Sequence, residues 1–192
     1  MRLLYLVLIT ALTGCVEKSD ETTTGPKDFT PEGLYAYAMN ELNSAQDSEE
    51  RFYALTEASI RSFEVGKIDD AKDYAEELLK LAASFKPNWN YGNAIHKGNI
   101  VLGRIAVRNN DIEKAKIYLH NAGATLGSPQ LDSFGPNMTL AKELLEKSEA
   151  DSVVKYLRQC KNFWEMDDDK LEFWTHQISN GKSPKFGANL LY

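Results

Sequence analysis

NIVLGRIAVRNNDIEKAKIYLHNA, residues 99–122, decides the fold. Its second half places Ile112, Ala115, Leu119 and Ala122 at steps of three and four, which draws one apolar stripe along a helix. Asn110 is a residue type that tolerates the left-handed backbone ending a helix, and Asp111 sets a carboxylate at the positive pole of the next one. The stretch reads as helix, tight turn, helix. The same spacing recurs in Ile68, Ala71, Ala75, Leu78 and Ala82, and again in Val153, Leu157, Cys160 and Trp164. From Pro31 onward there is no sustained two-residue alternation, so the chain is expected to be all-α.

The internal spacings carry a resemblance. Asn99-x2-Leu102-Gly103-x2-Ala106, then Ala115-x3-Leu119-x2-Ala122, resembles the tetratricopeptide repeat, with Asn99 and Ala106 where that pattern has aromatic residues. Further copies run Asn137-x2-Leu140-Ala141-x2-Leu144 with Val153-x3-Leu157-x2-Cys160, and Leu55-x2-Ala58-Ser59-x2-Ser62 with Ala71-x3-Ala75-x2-Leu78. Gly66, Asn110 and Ser148 fall at the turn position of each copy. The resemblance implies antiparallel helix pairs stacked as a short α-solenoid. The copies are spaced more widely than the repeat's own period. The excess falls in 84–93 (SFKPNWNYGN) and 124–135 (ATLGSPQLDSFG), expected as long connections between pairs. Flanking helices at 31–44 and 168–180 are expected to cap the array. The segments 127–131, 133–137 and the tail 186–192 also resemble stretches of other bacterial repeat proteins, a likeness that implies no activity.

Ahead of the repeats stands a different kind of segment. Arg2 supplies a positive charge, and Leu3 to Leu12 is apolar apart from Tyr5 and Thr10. Ten such residues fit the core of a secretory signal and fall well short of the roughly 20 needed to cross a bilayer as a helix. Leu12-Thr13-Gly14-Cys15 follows and resembles the lipobox of bacterial lipoproteins, in which the cysteine is acylated and becomes the new N-terminus. The resemblance implies a signal peptide over 1–14 and palmitate-type acyl chains on Cys15. Residues 15–30 read as a flexible polar tether with a reach of about 20 Å, and 31–192 as the helical domain. By the same resemblance Val16, which is not the aspartate that retains such proteins at the inner membrane, implies an outer-membrane anchor facing the periplasm. With Cys15 acylated, Cys160 has no disulfide partner.

The chain has 192 residues, 43% hydrophobic and 26% charged, values that fit one globular domain and exclude wholesale disorder. A net charge of −6 argues against nucleic-acid binding, which needs an excess of Lys and Arg over the phosphates. No phosphate loop, dinucleotide fingerprint, zinc motif or nucleophile elbow is found, so no enzymatic activity, cofactor or metal is expected. His96, His120 and His176 share no ligand spacing and read as surface or partly packed residues. Cys160 reads as a buried thiol, and Asp167, Asp168 and Asp169 as acids that cap the helix after them.

Two kinds of functional residue stand out. Carrying the repeat family's groove positions over implies a lining of Tyr53, Thr56, Ile60 and Phe63, then Lys97, Ile100, Arg104 and Val107, then Met138, Lys142 and Leu145. Lys97, Arg104 and Lys142 would make this groove locally positive and suit it to a carboxylate or acidic segment. The expected function is a membrane-anchored adaptor or scaffold of the bacterial cell envelope that binds another protein or peptide segment. Separately, Trp89 and Tyr91 sit in a long connection beside His96. An alternative function is therefore an envelope hydrolase with His96 as base, or capture of a cell-wall glycan stacked on the two aromatic rings.

Overall fold

A computed structural model describes residues 25–191. The expected signal peptide over 1–14, Cys15 and the expected tether up to residue 24 lie outside the described residues. Among the described residues the chain is all-helical, with no strand: α1 Pro31–Ser44, α2 Ser48–Glu64, α3 Ile68–Ala82, α4 Tyr91–Arg108, α5 Ile112–Gly123, α6 Pro129–Phe134, α7 Thr139–Glu146, α8 Ala150–Cys160 and α9 Lys170–Ser179, closed by a short 3-10 turn, Gly187–Leu190. No described helix is long and apolar enough to cross a membrane.

The pairs α2–α3, α4–α5 and α7–α8 are joined by the same turn. Gly66, Asn110 and Ser148 each take a positive φ, of 80°, 59° and 66°. The residue after each donates its N–H to the carbonyl five residues back: Lys67 to Ser62 O at 2.8 Å, Asp111 to Ala106 O at 2.8 Å and Glu149 to Leu144 O at 3.0 Å. That closure satisfies the orphaned carbonyls of a helix end and turns the chain back on itself. It fixes each pair as antiparallel. Asp111 then caps α5 by accepting from Lys114 N at 3.2 Å.

Small residues let the helices approach. Ala58, Ala71, Ala75, Ala115, Ala122 and Ala141 are fully buried between them. The tightest place is Gly92, where a Cβ would sit 1.8 Å from the carbonyl oxygen of Gly127. The core divides along the stack. Phe52, Leu55, Leu78 and Ala94 fill the N-terminal part, Ala75, Val101 and Ile105 the α3–α4 seam, and Leu119, Leu140, Leu144 and Tyr156 the C-terminal part. Trp164 and Trp174 are buried, with ring centres 5.8 Å apart, and Phe186 stands edge-on to Trp174 at 5.0 Å. The expected end helices are present as α1 and α9.

Two expectations are refined. The connection 124–135 carries a helix of its own, α6, because Ser128 caps it (accepting from Leu131 N at 3.1 Å) and Pro129 opens it, while Gly135 at φ 83° ends it. The Ser-Pro and Gly-Pro steps that read as loop punctuation flank a helix too short to show a stripe. Of the three acids before α9, Asp167 caps it by accepting from Leu171 N at 3.3 Å, whereas Asp168 and Asp169 form a left-handed step, at φ 48° and 61°, ahead of the first turn.

Replacing Ser148 by glycine, which enters the left-handed region without a Cβ penalty, should raise stability by about 1 kcal/mol. Gly92→Ala, which drives a methyl into a backbone carbonyl, should lower it by about 3 kcal/mol. Urea unfolding of the two variants beside the parent checks both signs.

Candidate functional site

The α2 and α4 stripes meet across a central hollow of about 290 Å³, lined by Ile60 and Phe63 from α2 and by Lys97, Ile100 and Arg104 from α4. Asn137, Thr139, Leu190 and Leu191 close its far side. Two further hollows adjoin it. One, about 510 Å³, lies between α1 and α2 and shares Glu57. The other, about 290 Å³, lies between α4 and the α6–α7 connection and shares Lys97 and Asn137. The three lie side by side, each neighbour sharing lining residues with the central one. The central and α4–α6 hollows sit at the lower edge of the 300–1,000 Å³ typical of small-molecule pockets, a size that admits a side chain or two.

Lys97 and Arg104 therefore face one way, as their seven-residue spacing requires. Their charges are not free. Lys97 Nζ lies 3.7 Å from Glu57, and Arg104 Nε donates to Glu143 Oε1 at 2.8 Å while its guanidinium covers the Phe63 ring at 4.3 Å. Arg61, also in the lining, pairs with Glu57 at 3.0 Å and Glu64 at 2.7 Å. The positive pocket expected from the sequence is thus corrected to a neutral one, because a carboxylate reaches every cation that lines it: Lys97 and Arg104 are met from neighbouring helices, and Arg61 from its own. Sequence spacing shows which way a lysine points along its own helix and says nothing about the acid opposite.

The remaining groove positions scatter. Tyr53 lines the α1–α2 hollow, its hydroxyl accepting from Asn88 Nδ2 at 2.8 Å and lying 3.2 Å from Glu49 Oε1. Lys142 is exposed, 4.0 Å from Glu146 one turn on, and is not part of the lining. Met138 corrects the carried-over frame. It is fully buried because α7 starts at Thr139, and the Met138 N–H donates to Asn189 O at 2.7 Å, which draws the residue inward under the C-terminal segment. Asn137 and Thr139 on either side of it line the hollow instead. The reading also missed Glu57, one position off the α2 stripe, and Leu190–Leu191, whose only signal was an apolar pair in a tail with no stripe to join.

Trp89, Tyr91 and His96 do not converge. Trp89 stacks on Tyr53 with centres 5.9 Å apart, which fastens the α3–α4 connection to α2, whereas Tyr91, expected in that connection, is the first residue of α4 and packs against the N-terminal core. His96 lies elsewhere and is corrected from partly packed to fully buried. Its Nε2 accepts from Asn137 N at 3.0 Å, which leaves Nδ1–H to donate to Ala122 O at 3.2 Å. Burial, with Lys97 adding to it, pushes its pKa down to about 4. Both ring nitrogens hold backbone groups together, and neither meets a carboxylate, so a hydrolytic base at this position gets no support from the geometry. Cys160 is fully buried, and burial raises its thiol far from reactivity. Among the described residues no group of three or more His, Cys, Asp or Glu is placed to hold a metal ion.

Compared with known proteins, the chain matches no family model, no curated protein and no solved structure.

The His96 latch sets a pH response. Its folded pKa lies below the unfolded value of about 6.5, so the unfolded chain binds the extra proton. The stabilisation is complete above pH 6.5 and is lost as pH falls toward 4. Between pH 7.5 and pH 4.5 this amounts to about 2–3 kcal/mol. His96→Gln should be less stable at pH 7.5 and should lose most of that decline, read from urea midpoints at the two pH values.

Proposed function

We propose that the protein is a lipid-anchored adaptor of the bacterial cell envelope that binds a segment of another protein along the three-hollow groove. The observation that carries this reading is the groove itself. Ile60, Phe63, Ile100 and Leu191 present apolar surface at its centre, and the charges between them are already paired. A surface of that kind gains by covering apolar area and has little to offer a small ion. The three matching turns support the tetratricopeptide resemblance, whose members present such grooves to partners. That resemblance is fold-level analogy and supports a binding role without naming the partner.

Attachment to the membrane rests on the Leu12-Thr13-Gly14-Cys15 segment. Acyl chains on Cys15 would hold the helical body near the bilayer, since two or more chains anchor stably where one does so marginally. Val16 supports the outer membrane as the destination, with the body facing the periplasm. In this reading the residues after Cys15 set how far the groove can stand from the lipid surface.

Two measurements test the two halves. Radiolabelled palmitate should enter the wild-type chain and not Cys15→Ser, and the substitution should move the protein from the membrane to the soluble fraction. Affinity capture from detergent-solubilised envelopes should yield partners that Ile60→Glu loses, with the thermal midpoint of that variant within a few degrees of the parent. Identical partners with Ile60→Glu would remove the groove from the proposal.

A further inference from the structure

The groove differs in charge along its length, and this deepens the adaptor reading on which it rests. In the central hollow the cations Arg61, Lys97 and Arg104 are all held by carboxylates, at 2.7 to 3.7 Å. Beside it, the α1–α2 hollow is lined by Glu41, Glu50 and Glu57, with Tyr37 and Tyr53 and no basic residue. Glu41 and Glu50 take part in no ion pair among the described residues. Glu50 accepts one hydrogen bond, from Gln46 N at 2.7 Å. The unpaired charge along the three hollows is therefore negative and sits at one end. The apolar surface of Ile60, Phe63, Ile100 and Leu191 sits next to it.

We infer that the groove takes an extended segment of a partner protein that places apolar side chains in the central hollow and a lysine or arginine over Glu41 and Glu50. Charge complementarity selects this occupant over an acidic one. An acidic segment would have to break the Lys97–Glu57 or Arg104–Glu143 pair to find a cation, and would meet two unpaired carboxylates on the way. A basic side chain meets both without disturbing a seam. Apolar anchors supply the affinity, and the acidic end sets the direction in which the segment lies.

The test uses the full-length protein in detergent and fluorescence anisotropy with three labelled peptides, each made in both chain directions. One carries two lysines ahead of alternating leucine and glycine. In the second the lysines become glutamates, and in the third the leucines become serines. The lysine–leucine peptide is expected to bind at least tenfold more tightly than either of the others at low salt. Glu41→Gln with Glu50→Gln should reduce its advantage over the glutamate form to less than threefold, and should leave the dependence on leucine intact. Equal or tighter binding of the glutamate peptide, or a preference that survives the double substitution, overturns this inference and leaves the groove reading standing. Absence of binding by every peptide overturns it too, and together with unchanged capture by Ile60→Glu removes the groove as well.

Discussion

Helix α4 is enclosed by α2, α3, α5, α6 and α7, and most of its side chains from Gly92 to Ala106 are buried. A helix in that position must satisfy two demands at once. Its neighbours need close approach, which Gly92, Gly98 and Gly103 provide by having no side chain. Any polar group it buries needs a partner, since an unmet one costs about 1–3 kcal/mol. Asn93 and His96 meet the second demand by reaching across to other elements. Asn93 donates to Gln130 at 2.6 Å and accepts from Ser128 at 2.7 Å, which fastens the start of α6. His96 joins the end of α5 to Asn137, two residues before α7, through two backbone groups. Asn99 instead bonds its own helix, at Ile95 O. The register of the irregular middle section is thus set by carboxamide and imidazole groups on one helix, while apolar contact alone would tolerate sliding.

The ion pairs do comparable work on the groove face. Lys97–Glu57 joins α4 to α2, and Arg104–Glu143 joins α4 to α7. Each is a quarter or so exposed on its cationic side and contributes modestly on its own. Their structural effect is larger than their energy. They bridge the walls of the central hollow and pair the charge of the cations that line it. The guanidinium of Arg104 lying over Phe63 extends the same principle, because its flat face shields an aromatic ring that lines the hollow.

What could be read from the sequence was the part of the fold written in local chemistry. Gly66, Asn110 and Ser148 marked the turns because left-handed backbone is a property of one residue and its neighbours, and the stripes marked the helices for the same reason. Trp164 and Cys160 were legible as core from periodicity. Properties that depend on facing elements were not legible. Lys97 and Arg104 were placed on the correct face, yet their charge state as a surface depended on Glu57 and Glu143, far away in sequence. Met138 was assigned to the lining by a frame that assumes uninterrupted stacking, and the insertion carrying α6 shifts the start of α7 enough to bury it. His96 carried no signal at all, since a buried histidine and a surface one look alike until the atoms around them are known.

The C-terminal segment shows how an element without periodicity can still shape the site. Phe186 is buried edge-on against Trp174, and the Asn189 side chain donates to Phe134 O at 3.1 Å and Pro136 O at 3.0 Å. With the Met138 N–H held by Asn189 O, these bonds tie the segment both to α9 and to the α6–α7 connection. The next two residues, Leu190 and Leu191, then become a wall of the central hollow. Leu191 is 80% exposed there, and the polar bonds nearest to it that tie the segment to the α6–α7 connection are made two residues earlier, by Asn189. The central hollow is therefore walled from both ends of the helical stack, and the packing of α9 on the core reaches it through the segment that follows Ser179.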